Sequence, residues 1–499
     1  MRVVQNTQMQ LGEIDVSQIK FDLKSRDDIP KILRGLQHLY NDAALRGKLF
    51  SLLEAKIAPE VNKHNGRPGM TLWATFVCGV VRLDLNIDYD RLHELLNQHL
   101  TLREMLGHGA FDRERYHYQT LKDNVSLFTP ALLDEINQLV VGAGHGLLKK
   151  KENEALRGRC DSFVVETHVH YPTDINLLYD AMRKVITLTA RWCEARGVNG
   201  WRQYQYNIRH LKRLMRQAQN TKRSKARSEQ QQQKNAALIK AAHETYLQAA
   251  GDYLDKAKNT LPHLEARGAS TFDLARKLEI ERFMQHAVRQ ISQTRRRVIL
   301  GEVIAHEEKI FSIFEPHTEW ISKGKAGVPV ELGVKVCVLE DQHQFILHHQ
   351  VMQKTTDEAV AVSMVGEAKA RFPALSVCSF DKGFHSSGNQ SKLKEQLEWV
   401  VLPRKGKLSQ AAREEEHTEA FVKARRAHSA VESAINALEV HGLDRCPDHG
   451  IGGFERYVGL AVVARNIHRI GAILWAQEVK REQRKSKHAN RAPPLKRAA

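Results

Sequence analysis

The sequence predicts a mixed α/β domain, a mixed sheet flanked by helices, joined to an all-α N-terminal domain and an all-α insertion. Three observations carry that expectation. Apolar and polar residues alternate around Cys160 to His170 and again from Val330 to Met352, the two-residue period of a strand. The apolar run Leu375 to Phe380 has the length of a buried strand and stops at Asp381-Lys382-Gly383. Residues 28 to 148 and 176 to 310 show helical periodicity and almost no strand signal.

Taken in order, Asp28 or Pro30 opens the first helix, and Asn65-Gly66-Arg67-Pro68-Gly69 marks a turn. Leu72, Phe76, Gly79, Val80 and Leu83 follow at helical spacing, then Asp88, Tyr89, Leu92, Leu95 and Leu96. Those two helices suit a helical hairpin or a helix-turn-helix. In the first strand Asp161 shares its parity with Phe163 and Val165, and Tyr171-Pro172-Thr173-Asp174 ends it. The next helical stretch is densely basic at Arg209, Lys212, Arg213, Arg216, Lys222, Arg223, Lys225 and Arg227, with a second cluster at Arg295-Arg296-Arg297, and suits a coiled-coil arm. Val330 to Val338 and Phe345 to Met352 form a hairpin across Glu340-Asp341-Gln342-His343. Thr355 and Glu358 then suit a capping box, and Trp399 to Leu402 a last strand before Pro403.

The chain has 499 residues, enough for several buried cores, and a formal charge of +18, which favours a polyanionic partner, nucleic acid above all. No apolar run approaches the roughly 20 residues that span a bilayer, and no basic amphipathic anchor stands out. The six cysteines form no CxxC pair, against a zinc ribbon or a disulfide framework. These features predict a cytoplasmic protein with no membrane partner. No GxxxxGK[ST] or GxSxG motif is present. His168 with His170, and His348 with His349, lack ligand partners at zinc spacing and are read as structural or solvated.

Three carboxylates stand out. Asp381 ends a buried strand, where ligands of α/β sheets collect, and Gly383 lets the chain turn away sharply. In a later helix Ala424, Ala427, Val431, Ile435 and Leu438 mark the apolar side, so Glu432 shares the polar side with Arg425, His428, Ser429 and Asn436, groups suited to a phosphate. Asp161 sits among inward-facing positions, costly for a carboxylate without a partner or a cation. Together they would make a hard-oxygen site for Mg²⁺ or Mn²⁺, and two such ions suit attack on a phosphodiester.

These segments resemble a known family. Cys160-Asp161-Ser162-Phe163-Val164-Val165-Glu166-Thr167 with His170-Tyr171-Pro172-Thr173-Asp174, Asp381-Lys382-Gly383-Phe384-His385-Ser386, and His428-Ser429-Ala430-Val431-Glu432-Ser433 with Gly442-Leu443-Asp444-Arg445-Cys446 resemble DDE transposases of bacterial insertion sequences, the ISNCY type in particular. Gly66-Arg67-Pro68 with Leu92 to Leu106 resembles their N-terminal domain, and Tyr457-Val458 with Asn466-Ile467-His468-Arg469 their closing helix. The resemblance implies an RNase H-like catalytic domain whose acidic residues are Asp161, Asp381 and Glu432, holding two Mg²⁺ or Mn²⁺ ions. It implies binding to the terminal inverted repeats of the element, DNA cleavage and joining to target DNA, a homodimer or larger synaptic complex on double-stranded DNA, and a place at the bacterial nucleoid. The expected organisation is a helical DNA-binding domain at 1–150, a catalytic domain at 151–178 and 311–476, a basic helical insertion at 179–310 and a disordered basic tail at 477–499. DNA contacts are expected at Arg209, Lys212, Arg213, Arg216, Lys222, Arg223, Arg425 and His428. The alternatives are a non-catalytic DNA-binding protein derived from a transposase, a repressor or architectural factor, and a nuclease that cleaves without joining.

Overall fold

The alternating stretch around Asp161 becomes the central strand of a seven-stranded mixed sheet in the computed structural model, which describes residues 3–6, 8–9, 11–57, 69–148, 154–222, 228–266, 270–322 and 329–489. The strands are β1 (Leu156–Thr167), β2 (Glu319–Ser322), β3 (Val330–Asp341), β4 (Ile346–Met352), β5 (Leu375–Phe380), β6 (Trp399–Val401) and β7 (Arg445–Cys446). Their order is β2-β3-β1-β5-β6, with β4 also paired to β3 and β7 to β1. β3 runs antiparallel to β1, placing Val338 opposite Asp161, and β5 runs parallel, placing Phe380 level with Cys160. The expected hairpin is present; Asp341 closes it, accepting hydrogen bonds from the backbone N–H of His343 (2.8 Å) and Phe345 (3.0 Å). β1 starts four residues before Cys160 and stops at Thr167, three residues short of His170.

The chain forms two units, Met1–His168 with Ile321–Ala499, and Val169–Trp320, each with its own apolar core. In the first, α1 (Ile29–Asn41), α2 (Ala43–Ile57), α3 (Leu72–Asp84), α4 (Tyr89–Gln98), α5 (Leu100–Met105), α6 (Tyr118–Val125) and α7 (Pro130–Leu147) precede the sheet. Asp28 precedes α1, with Pro30 in its first turn. Thr71 caps α3 and Asp88 caps α4, each side chain accepting a backbone N–H of the first turn. The turn at Asn65 to Pro68 lies outside the described residues.

The helices of 1–150 do not form a domain apart from the sheet. Leu36 of α1, Trp73 and Phe76 of α3, Ile136 of α7, Leu339 of β3 and Phe345 belong to one continuous core. The cause is α3, which is buried at every position because Trp73, Val77, Cys78 and Val81 make apolar the sides that its one-faced spacing had left open. Buried all round, α3 is a core element, and of the expected helix pair only α4 has an exposed face.

Among its described residues the second unit is built of α8 (Asp174–Arg196), α9 (Tyr204–Lys222), α10 (Glu229–Glu265) and α11 (Thr271–Thr294), followed by a largely irregular stretch over 300–318 and the start of β2. Leu178, Met182 and Val185 of α8 pack with Tyr246 and Leu254 of α10 and Phe283 of α11. The first turns of α10, Glu229 to Ala236, are exposed on nearly every side, a polar helical extension.

After β4 come α12 (Asp357–Arg371), α13 (Ser387–Gln396), α14 (Gln410–His417), α15 (Glu419–His428), α16 (Ala430–Leu438) and α17 (Ile451–Ala489). The capping box expected at Thr355 and Glu358 is absent: Thr356 is the N-cap, without a side-chain bond, and the Thr355 hydroxyl donates to Gln353 O at 2.7 Å instead. The expected disordered tail is helical as far as Ala489, and Pro493-Pro494 lies outside the described residues. Ile451–Ser486 of α17 is, among the described residues, the helix long and apolar enough to cross a membrane, but 72% of its most apolar window is buried in the protein.

α17 holds the unit together. It crosses α1 where Gly35 and Gly471 let the backbones touch; a Cβ at Gly471 would stand 1.9 Å from Lys31 O, and one at Gly35 would stand 2.2 Å from Ile467 O. Asn466 of α17 accepts from Ile346 N (2.9 Å) and donates to Ile346 O (3.0 Å), while Asn137 of α7 donates to the same carbonyl at 3.0 Å. The N–H and C=O of Ile346, the first residue of β4, are thus bonded by buried amides, which offsets the cost of burying them.

Candidate active site

The register that sets Cys160 level with Phe380 brings the next residues, Asp161 and Asp381, side by side at the point where β5 ends and β1 continues. Asp381 is exposed and its backbone stays extended (φ −73°, ψ 158°) before the chain turns at Lys382–Phe384. Glu432 comes from the first turn of α16, which packs against β1. The three carboxylates feel one another: burial foremost, then the charges of Asp381, Asp357 and Glu432, push Asp161 up to about 6 against the lowering effect of the Ser162 N–H.

Asp357, the first residue of α12, is the acidic neighbour that sequence reasoning missed. Its Oδ1 accepts from the Ser162 hydroxyl at 2.6 Å, and its Oδ2 pairs with Lys335 Nζ at 3.1 Å. A Cβ on Gly383 would stand 3.4 Å from Asp357 Oδ2 and 3.8 Å from Asp381 Oδ2, so this glycine lies between the two carboxylates. No sequence signal marks the group, because Lys335 shares the polar parity of an alternating strand with Glu331 and reads as an ordinary outward residue.

The helix expected to carry Glu432 is broken at Ser429 into α15 and α16. Ala427, expected on the apolar side, is exposed, whereas Val431 and Leu438 are buried as expected. His428, expected beside Arg425 on a solvent face, is turned inward: its Nδ1 lies 3.0 Å from Ser379 Oγ, and its Nε2 is buried without a hydrogen-bond partner among the described residues. The Ser379 hydroxyl also reaches Gly158 O at 3.4 Å. Burial lowers the His428 pKa against the raising charges of Asp381 and Glu432. Arg425 is exposed. Lys405 Nζ, donating to Gly383 O at 2.7 Å, adds a cation at the rim.

Two further clusters have the residue types of a metal centre. Among the described residues, Asp84 with His441 and His468, and His108 with Asp112 and Glu114, have ligand atoms mutually within 4.8 Å. In the first, His468 Nδ1 lies 2.9 Å from Asp84 Oδ1 and His441 Nδ1 meets Asp84 O; in the second, the two His108 nitrogens meet Asp112 (2.5 Å) and the Tyr116 hydroxyl (2.7 Å). Both are closed hydrogen-bond clusters that tie loops and helices together. Asp161, Asp381 and Glu432 do not share that tight spacing.

Of the four histidines read as structural or solvated, His170 and His348 have side-chain partners. His170 Nε2 bonds Asp180 at 2.6 Å, and His348 Nδ1 accepts from Arg371 at 2.7 Å. Burial, with Arg371 nearby, pushes His348 down to about 3 and His349 to about 4. The folded protein therefore binds fewer protons than the unfolded chain below pH 6.5, so this pair's contribution to stability is intact above pH 6.5 and shrinks as the pH falls. Urea titrations of His348→Gln/His349→Gln should lose part of the wild-type decline between pH 6.5 and 4; an unchanged profile would clear the pair as its cause.

In the second unit, Arg209, Lys212, Arg213 and Arg216 are exposed on α9 and make no ion pair among the described residues. The Lys222 side chain and Arg223, Lys225 and Arg227 lie outside the described residues. The second basic cluster is largely neutralised, since Arg296 pairs with Glu302 and Glu308 (2.7 Å each) and Arg297 with Asp174 (2.8 Å). All six cysteines are buried and free.

Comparison of the chain with models of known protein families, with curated proteins and with solved structures finds no match.

Proposed function

We propose that the chain is a DNA transposase of the DDE class with an RNase H-like catalytic domain, cutting and joining DNA at Asp161, Asp381 and Glu432. The observation that carries this reading is the convergence of three carboxylates, distant in sequence, around the end of β5, where burial foremost, then the charges of Asp381, Asp357 and Glu432, raise Asp161. The mixed sheet, with β3 and β4 antiparallel on one side of β1 and β5 and β6 parallel on the other, supports it as the frame the resemblance implies.

The donor set fits hard divalent cations, because all the ligands are carboxylate oxygens and their mutual repulsion favours a cation. Two Mg²⁺ or Mn²⁺ ions there would activate a water or a DNA 3′-hydroxyl and stabilise the leaving oxygen. The chain's own part is positioning. Asp161 and Asp381 are fixed by strand register, and Glu432 by the packing of α16 on β1. The Lys335–Asp357–Ser162 chain anchors the residue next to Asp161. Arg425 and Lys405 offer phosphate contacts, and the α9 cations offer a sequence-independent grip on DNA.

The test is cleavage of a labelled duplex carrying the DNA that flanks the coding sequence, with Mg²⁺ or Mn²⁺, comparing wild type with Glu432→Gln. Nicking should fall roughly 10²–10³-fold or more in the variant with duplex binding retained. Binding without cleavage by either protein would replace this reading with that of a non-catalytic DNA-binding protein.

A further inference from the structure

The second unit contains a cavity of about 710 Å³ whose walls are unlike the rest of its surface. Three aromatic rings line it in series: Tyr171 and Trp320 at 5.6 Å between centroids, and Trp320 and Phe311 at 5.7 Å. Tyr171 is 62% exposed, so its ring is open to a ligand. Opposite chemistry completes the cavity. Gln219 Nε2 donates to Asn176 Oδ1 at 2.6 Å, which leaves Asn176 Nδ2 as a donor and Gln219 Oε1 as an acceptor, neither with a partner among the described residues. Lys309 lines the same cavity, exposed and without an ion pair among the described residues, while the charge of Arg297 is balanced by Asp174.

We infer that this cavity is a binding site for one unpaired nucleotide of a DNA strand. The volume lies within the roughly 300–1,000 Å³ of small-molecule sites. Aromatic walls, with Tyr171 edge-on to Trp320 and Phe311 tilted against it, offer a ring face to any base, and an adjacent donor and acceptor match the edge that unpairing uncovers. Lys309 meets the phosphate. Gln219 lies one turn beyond Arg216 on α9, so the exposed row Arg209, Lys212, Arg213 and Arg216 leads along the helix toward the cavity, an electrostatic track for the strand's backbone. A duplex is excluded from the cavity, since its bases are paired and stacked on each other.

This inference rests on the reading of the chain as a DNA-acting protein, and one experiment separates the two. The full chain is titrated, by fluorescence anisotropy at fixed salt, with a labelled blunt duplex and with the same duplex bearing a single-stranded overhang that carries 2-aminopurine. Wild type should bind the overhang DNA more tightly and quench the 2-aminopurine by stacking. Tyr171→Ala and Asn176→Ala should each lose about tenfold in affinity for the overhang DNA and most of the quenching, with affinity for the blunt duplex changed less than twofold. Tyr171 is exposed, so its loss leaves the helical core intact, and Lys309→Gln, also at an exposed position, should weaken overhang binding with quenching retained. Equal affinity of wild type and Tyr171→Ala for the overhang, or no quenching by wild type, overturns the nucleotide site while leaving the DNA reading in place. No binding of either DNA by wild type overturns both.

Discussion

Asp161→Asn should raise the thermal midpoint of the protein by a few degrees at pH 8 without metal, while abolishing cleavage. Asp161 ionises at about 6 in the folded state against 3.8 ordinarily, so the folded protein holds this proton more tightly than the unfolded chain. Stability must then fall as the pH rises from about 4 to 6 and stay reduced above it. The gain on neutralising the group is on the order of 2 kcal/mol at pH 8, from about 1.4 kcal/mol per tenfold change in proton affinity with a discount for partial exposure, and it vanishes at pH 4. Millimolar Mg²⁺ should stabilise wild type and leave the variant largely unchanged, since a ligand that binds only the folded site raises the midpoint by mass action. Equal midpoints at pH 8 would mean that the carboxylates are not crowded in solution. Loss of activity together with a gain in stability is the signature of a site built against the fold's own preference.

Gly471→Ala should be the most damaging single methyl in the first unit. Its Cβ would fall 1.9 Å from Lys31 O, a backbone atom that cannot swing aside, so α1 and α17 must separate along their whole contact. Overpacking of this kind costs roughly 1–3 kcal/mol where side chains can give, and a backbone contact belongs at the upper end or beyond it. Urea unfolding should show a midpoint moved down with little change in slope. Gly35→Ala should act alike, and the two together should cost less than their sum because both open the same crossing. A wild-type midpoint in Gly471→Ala would exclude so close a crossing.

What the sequence revealed of this architecture follows the range of the interactions involved. The alternation in β1, β3 and β4 and the apolar run of β5 depend on neighbours along the chain, so they were legible, and with them Asp161 and Asp381. The break at Ser429 was not, because Ala424 to Leu438 keeps an unbroken helical spacing and only packing against β5 and β1 decides where the axis shifts. Nor was the burial of α3, whose helical spacing marks one apolar face while Trp73, Val77, Cys78 and Val81, and even Arg82 and Asp84, are buried by tertiary contacts on the others. Asp357 escaped for a related reason: it is an ordinary helix-opening residue until the fold carries Ser162 and Lys335 to it.

The amide bonds from Asn137 and Asn466 to Ile346 reach beyond local packing. A sheet margin with free N–H and C=O groups invites a strand from another molecule, and uncontrolled growth follows from that invitation. Here the margin at β4 is closed at its first residue, where side chains claim both backbone groups of Ile346, and the margin at β6 is three residues long and followed within two residues by Pro403. A strand of another copy that approached β4 at Ile346 would therefore find no free backbone group there to pair with.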